Sequence, residues 1–274
     1  MSAVVVRSNP VFSVRRVGAM TLRYLYLLRG SWPRIAELAY WPTMQMILWG
    51  FITQFFAQNS SYVAQAFGVL LSGVLLWDVL FRGQIGVSIC FLEEMWSRNL
   101  GHLFVSPLKP IEMACALSFM GLIRTVIGLF PATMLAIWFY GYSLYDLGLP
   151  LIAFFFQLIA FGWALGLALS GMVLRWGLGA ESLAWIAVFA LAPVSGVYYP
   201  IATLPGWLQP LAWAMPSAHV FEGMRSVLIQ GVVRWDLMLT ATLLDLFYLA
   251  VGVLVFLHCF REARRRGLLL QIGE

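Results

Sequence analysis

The sequence predicts an all-α membrane protein with several spanning helices. Hydrophobic residues make up 62% of the 274-residue chain, charged residues only 11%, and the mean hydropathy is +0.86. Soluble domains carry about 45–50% apolar and about 25% charged residues, so this composition excludes a water-soluble enzyme. Disordered chains have low hydrophobicity and high net charge, and are excluded as well. Aromatic residues reach 15%, which suits rings anchored at membrane interfaces.

Six apolar segments approach or exceed the length of about 20 residues that a helix needs to cross a bilayer. They cover residues 35–57, 62–89, 113–140, 147–174, 182–199 and 237–260. The fifth begins an uncharged stretch, 182–221, whose second half contains four prolines. We expect residues 182–199 to cross the membrane. Residues 200–222 are then predicted to re-enter from outside and return, which requires protein or water to satisfy the backbone.

The positive charges predict the orientation. The chain has 17 Lys and Arg against 12 Asp and Glu. With six spans, 13 of the 17 fall on one side, two lie within spans, and only Arg225 and Arg234 lie on the other side. The positive-inside rule assigns the richer side to the cytoplasm. We therefore expect a cytoplasmic N-terminus over 1–34, a membrane domain over 35–260 and a basic cytoplasmic tail over 261–274. This distribution favours contact with membrane lipids rather than nucleic acid.

The N-terminal segment has the pattern of a basic amphipathic helix. On a helical projection Arg15, Arg16, Arg23 and Arg29 fall within an arc of roughly 140°, and apolar side chains occupy the opposite face. Such a helix typically lies in the membrane surface. The alternative is a helix packed on a soluble partner.

Four charges are predicted inside the spans, where each is costly and therefore a functional candidate. Asp78 and Arg82 are four residues apart, so they can neutralise each other on one helix face. This pair either fixes helix orientation or acts on substrate or gating. Arg124 and Asp245 have no partner on their own helices, and we expect that they could meet between the third and sixth spans.

Small residues at Gly162, Gly166 and Ser170 form a ladder on the fourth span. Ladders of this kind let helix backbones approach closely. The ladder is interpreted as packing within one subunit, or alternatively as a seam between subunits.

The most polar internal stretch is the loop over 91–110, between the second and third spans. It is predicted to contain a short helix in which Glu94 pairs with Arg98 at i, i+4. Two Pro-containing dipeptides, at 106–107 and 109–110, then end that helix. A solvated cytoplasmic loop is the simplest interpretation of this stretch alone.

Several motifs resemble those of ABC-2-type transporter permeases. The acidic pair Glu93-Glu94, Trp96, Asn99-Leu100 and SPLKPIE at 106–112 are similar to the loop after the family's second span. Four later motifs are similar to its carboxy-terminal signature: SGVYYP at 195–200, LPGWLQ at 204–209, PSAH at 216–219 and EGMR at 222–225. The resemblance extends over nearly the whole chain in topology.

The resemblance implies the transmembrane subunit of an ATP-driven exporter. In such families the loop is a coupling helix seated in a separate ABC ATPase, which assigns coupling roles to Glu93, Glu94, Trp96, Arg98 and Asn99. The basic leader would be the interface helix. Two copies, or one copy with a similar permease, would enclose the path. Because the sequence has no GxxxxGK[ST], it cannot hold ATP in the P-loop manner. ATP and Mg²⁺ are therefore expected in the partner ATPase, with no cofactor in this chain.

Aromatic residues cluster near the predicted outer face. The resemblance implies a re-entrant outer gate there, and the candidates for the gate and substrate path are Tyr198, Tyr199, Pro200, Trp207 and Trp213. Interfacial anchoring is the alternative explanation for the rings. His219, Glu222 and Arg225 are expected to begin a short outer helix and to pair locally.

The predicted function is export of an amphiphilic compound across a bacterial inner membrane. The cargo would be a drug-like molecule, a lipid or a lipid-linked glycan, with the first two favoured. We find no catalytic carboxylate pair, Ser/His/Asp arrangement or metal-ligand set in the sequence, so the chain itself is not expected to be an enzyme. An ion-gradient-driven transporter or channel with no ATPase is the alternative function, and a structural membrane scaffold is a third.

Overall fold

Ten α-helices and no strand form the part of the chain that the computed structural model describes, residues 12–59 and 67–267. The outermost parts of the predicted N-terminus and tail, 1–11 and 268–274, lie outside the described residues. So does the beginning of the predicted second span, at 62–66. The predicted all-α fold class is confirmed for the described residues.

The helices are named here in chain order. They are α1 (Val14–Arg29), α2 (Trp32–Asn59), α3 (Phe67–Trp96), α4 (Leu100–Val105), α5 (Pro110–Tyr140), α6 (Leu149–Trp176), α7 (Ser182–Leu191), α8 (Gln209–Trp213), α9 (Pro216–Arg225) and α10 (Trp235–Arg265). A π-helical turn at Ser226–Gln230 extends α9. The first five residues of the predicted basic tail continue α10 as helix.

Four of the described helices, α3, α5, α6 and α10, are long and apolar enough to cross a membrane. Helix α2 has 28 residues but is less apolar. Helix α7 has ten residues, about 15 Å, which is half of a bilayer core of about 30 Å. The predicted helical crossing over 182–199 is therefore wrong in length. Pro193 follows the helix end and Gly196 has a φ of 65°, so the chain turns instead.

Helix α3 lies at the centre of the bundle. Of its most apolar stretch 78% is buried, against 28% for α10 at the periphery. Helix α6 packs between them. A Cβ on Gly162 would lie 2.7 Å from the Leu80 carbonyl oxygen, and one on Gly252 of α10 would collide with the backbone of Ala164. The small-residue ladder is thus explained by packing of α6 against α3 within one subunit.

Of the four charges predicted inside the spans, one pair forms as predicted and the other does not. Asp78 and Arg82 form the expected ion pair, with Oδ2 and Nε 2.6 Å apart. Arg124 does not meet Asp245. Its Nη2 lies 3.2 Å from a carboxylate oxygen of Glu93. Helix α5 packs mainly on α3 and α2, whereas α10 packs mainly on α6.

The helices alternate in direction, so the bundle has two ends. The α1 end carries α1, α4 and the last turns of α3 and α10. The α9 end carries residues 141–148 and 192–234, including α8 and α9.

Candidate functional site

The polar loop at the α1 end begins with the last turn of α3. Glu93 and Glu94 belong to that turn, which ends at Trp96. Arg98 has a φ of 55°, a left-handed conformation that L residues rarely adopt. The predicted single helix through Glu94 and Arg98 is therefore wrong, and α4 is the separate loop helix. Its predicted end is confirmed, since α4 stops before Ser106 and α5 begins at Pro110.

Glu94 is almost completely buried, with 1% of its side chain exposed. Its carboxylate accepts two hydrogen bonds from Arg23 of α1, at 2.5 Å from Nη1 and 3.1 Å from Nη2. The Asn99 amide donates a third at 2.7 Å. Glu94 therefore joins α1 to the loop, and its predicted pairing with Arg98 is wrong.

Glu93 joins two further helices. Arg124 of α5 donates to both of its carboxylate oxygens at 3.2 Å. Arg34 of α2 approaches one of them, with Nη1 at 3.6 Å from Oε1. The set Glu93, Glu94, Arg23, Arg34 and Arg124 is called the carboxylate junction below. It connects the root of the loop to α1, α2 and α5.

A second ion pair fixes the beginning of α1. Arg16 Nη2 lies 2.5 Å from Glu112 Oε1, and Arg16 Nε lies 2.7 Å from Oε2. The backbone N–H groups of Ser13 and Lys109 donate to the same carboxylate at 2.9 Å. Hydrogen bonding to Glu112 raises the pKa of the Arg16 guanidinium above its ordinary value. Helix α1 is thereby joined to the first turn of α5.

The buried face of α1 carries Met20, Tyr24 and Leu28, so the predicted N-terminal helix is present and packs one face on the bundle, while its location in the membrane surface stays a prediction. Burial, and then the negative charge of Glu94, raises the pKa of the Tyr24 hydroxyl. Burial alone would lower the pKa of Arg23, but its hydrogen bonds to Glu94 raise it. The junction guanidinium on α1 therefore stays charged at neutral pH.

The exposed surface of the loop lies just beyond the junction. It consists of Trp96, Ser97, Arg98, His102 and Val105, and is called the loop face below. Trp96 is 48% and Val105 is 89% exposed. Two of the five predicted coupling residues, Trp96 and Arg98, are thus available to a partner. Glu94 is buried, and Glu93 and Asn99 are partly buried.

Four residues of these ionic contacts are not predicted as partners by the sequence pattern: Arg16, Arg23, Arg34 and Glu112. The sequence shows them only as charges of the N-terminal segment or as part of a motif. The residues paired between α1 and the spans are 71 to 99 positions apart, so helical spacing carries no signal for them. The available signal was coarser: a basic leader and three carboxylates were predicted on the same side of the membrane.

At the α9 end, the turn after α7 is held against α2. The Tyr198 ring stacks on Trp49, with centroids 4.6 Å apart and planes at 13°. The Tyr199 hydroxyl donates to the Pro193 carbonyl oxygen at 2.5 Å. Pro200 is exposed. Tyr198 is therefore engaged in a contact within the subunit.

The other two aromatic candidates lie near or on α8. Trp207 is 78% exposed, and Trp213 is 38% exposed. The Trp213 ring lies 5.0 Å from the ring of His219, and the His219 Nε2 is 2.8 Å from the Trp213 carbonyl oxygen. Trp207 is thus the most exposed aromatic residue among the predicted gate residues.

Helix α9 folds back onto the bundle through buried polar groups. Arg225 donates to the Gly196 carbonyl oxygen at 2.6 Å and to Glu222 at 3.2 Å. Glu222 also accepts the Ile201 N–H at 2.7 Å. The expected local pairing of Glu222 with Arg225 is confirmed, and it extends to the turn after α7.

The model of the family described as ABC-2 type transporter matches residues 24–229. That range includes the loop face, α9 and every residue of the carboxylate junction except Arg23. No curated protein matches the chain.

Proposed function

Because the chain belongs to the ABC-2 type transporter family, we propose that it is the permease subunit of an ATP-driven exporter. It is a multi-pass membrane protein and the transmembrane component of its transporter. ATP hydrolysis takes place in a separate ABC ATPase that binds the loop face. ATP and Mg²⁺ belong to that subunit.

The observation that carries the proposal is the carboxylate junction beneath the loop face. An ATPase pressing on Trp96 and Val105 acts on a loop whose root is joined by ion pairs to α1, α2 and α5. A ligand shifts a conformational equilibrium only through contacts that differ between the two states. The loop face supplies contacts of this kind, and the junction passes the movement to three helices together.

The proposed topology has six crossings, with both termini in the cytoplasm of a bacterial cell. Helices α2, α3, α5, α6 and α10 account for five. Helix α7 crosses only part of the bilayer. Residues 192–199 complete that crossing, and residues 200–222 form the re-entrant segment. The buried Arg225 and Ser217 and the partly buried Glu222 support this, because protein groups satisfy the polar backbone and side chains there.

The proposed exit lies at the α9 end, next to the turn at 198–200. Exposed Trp207 offers a ring on which an amphiphilic cargo could slide. A second copy of the chain, or a similar permease, completes the path. We expect the cargo to be a drug-like molecule or a lipid rather than a lipid-linked glycan.

Native mass spectrometry of the tagged protein, extracted gently from its host's membranes, tests the proposal. We expect a complex of two permease copies with two ATPase chains. Val105→Asp should lose the ATPase, because a charge then sits in the docking surface. Val232→Asp is the matched control, since Val232 is 52% exposed at the α9 end. A permease that never carries an ATPase, even when nucleotide is supplied, would contradict the proposal and favour an ion-driven transporter.

A further inference from the structure

A cleft of about 250 Å³ opens between α6 and α10 on the periphery of the bundle. Apolar side chains, among them Phe156 and Leu246, form most of its walls. Its polar lining residues are Gln157, Thr242 and Asp245. None of these residues takes part in the carboxylate junction or the gate described above.

Asp245 lines the cleft and is 5% exposed. Neither of its carboxylate oxygens has a hydrogen-bond partner within residues 12–59 and 67–267. No ion pair to it is formed in that part of the chain either. An ionised carboxylate in an apolar environment is costly unless it is paired. A bound cationic ligand or a proton would therefore be needed to offset the cost of burying the Asp245 carboxylate.

Gln157 adds a third unpartnered acceptor. Its Nε2 donates to the Met238 carbonyl oxygen at 2.8 Å and to Thr242 Oγ1 at 2.9 Å. The Met238 carbonyl oxygen can only accept a hydrogen bond, so the atom of Gln157 that contacts it must be the amide nitrogen. Oε1 therefore lies on the opposite side of the amide group. Among the described residues Oε1 has no donor. Two residues that line the cleft thus carry three buried acceptor oxygens that have no donor among the described residues.

The depth of the cleft makes the acceptors harder to satisfy with water. Asp245 is ten residues from the beginning of α10, and Gln157 is eight from the beginning of α6. At 1.5 Å per residue these positions lie about 15 Å and 12 Å from the α9 end. They are therefore near the middle of a bilayer core of about 30 Å, where ionisable residues mark ligand or ion pathways.

We propose that the cleft binds the head group of a primary-amine amphiphile, with its alkyl chain against Phe156 and Leu246. An ammonium group has three donors and no acceptor, which matches the two oxygens of Asp245 and the Oε1 of Gln157. A metal such as Ca²⁺ takes six to eight oxygen ligands and fits these apolar walls poorly. The step from ligand to exported cargo rests on the proposed function, so binding and transport are measured separately.

Binding is measured with tritiated dodecylamine on the purified full-length chain in a neutral detergent, by scintillation proximity. Asp245→Asn should weaken binding by at least about tenfold, the equivalent of one charged hydrogen bond. Asp236→Asn is the control, because Asp236 lies on the same helix, is exposed and pairs with Arg234. Equal affinity of the wild type and Asp245→Asn overturns the proposal.

A competition experiment on the wild type covers the case in which Asp245→Asn does not fold. Unlabelled dodecylamine should displace the probe at much lower concentration than dodecanol does. Equal displacement by dodecanol would mean that Asp245 is protonated and the cleft only apolar, and it overturns the proposal. A third result also overturns the proposal: no binding of the probe, together with disulfide formation between copies that carry Leu246→Cys. It would mean that a subunit interface fills the cleft.

The two proposals fail in different ways. No dodecylamine binding by a chain that still carries its ATPase overturns the amine site alone. Charge-dependent binding without ATP-driven extrusion from vesicles supports the site and contradicts its role in export.

Discussion

The pair of Arg23 and Glu94 offers the sharpest test of the carboxylate junction, because its two members are buried to different degrees. Arg23→Met removes both of its hydrogen bonds to a carboxylate that is 1% exposed. Glu94 then keeps only the Asn99 amide as a donor. Glu94→Gln instead leaves an arginine whose side chain is 38% exposed and can be hydrated.

The expected losses of stability follow from that asymmetry. Removing one partner of a fully buried pair costs about 3–5 kcal/mol. Partial exposure of Arg23 reduces this to about 2–3 kcal/mol for Arg23→Met. We expect Glu94→Gln to cost about 1 kcal/mol, since water replaces the lost acceptor. The double variant should resemble Glu94→Gln, which gives a coupling energy of about 2–3 kcal/mol.

The measurement is equilibrium unfolding in mixed micelles, followed by circular dichroism and tryptophan fluorescence. Arg15→Met is the control, because Arg15 is an exposed arginine of the same helix. It should unfold like the wild type. The reasoning is refuted if the two single effects add to within about 0.3 kcal/mol, or if Glu94→Gln is the more harmful substitution.

Three further predictions concern packing and backbone. Gly162→Ala should lower stability by about 1–3 kcal/mol, because its Cβ meets a backbone carbonyl of α3; Gly206→Ala, with nothing within 4 Å, should not, and thermal unfolding compares them. Arg98→Gly should raise stability by about 1 kcal/mol by relieving its positive φ, and a lower unfolding midpoint would contradict this. Asp78→Asn should be more destabilising in mixed micelles than Asp78→Asn with Arg82→Met, because the single change leaves a buried guanidinium unpaired.

The spans that could be predicted from the sequence are those in which a long apolar stretch coincides with one helix. Helices α5, α6 and α10 begin or end within about three residues of the predicted segments at most ends, because long apolar stretches bounded by charged residues predict a crossing helix. The predicted crossing helix over 182–199 is wrong because the apolar composition continues past the end of α7. The chain turns at Pro193 and Gly196, and a hydropathy pattern gives no sign of that turn.

For the candidate site, local pairs were predictable and distant ones were not. Asp78 with Arg82, and Glu222 with Arg225, lie one helical turn apart, so spacing alone predicts them. The partners of Glu94 and Glu112 lie on α1, more than 70 residues away. Choosing among several arginines at that end requires the three-dimensional packing of α1 across α3 and α5.

The most direct test of the central claim is a distance measurement across the α9 end of the purified permease–ATPase complex. Spin labels replace Trp138 and Trp207, which are 82% and 78% exposed. A non-hydrolysable ATP analogue should shift their distance distribution in the otherwise unaltered complex. No shift is expected with Val105→Asp, which has lost the ATPase. An unchanged distribution in the intact complex, or the same shift in Val105→Asp, would contradict coupling through the loop face.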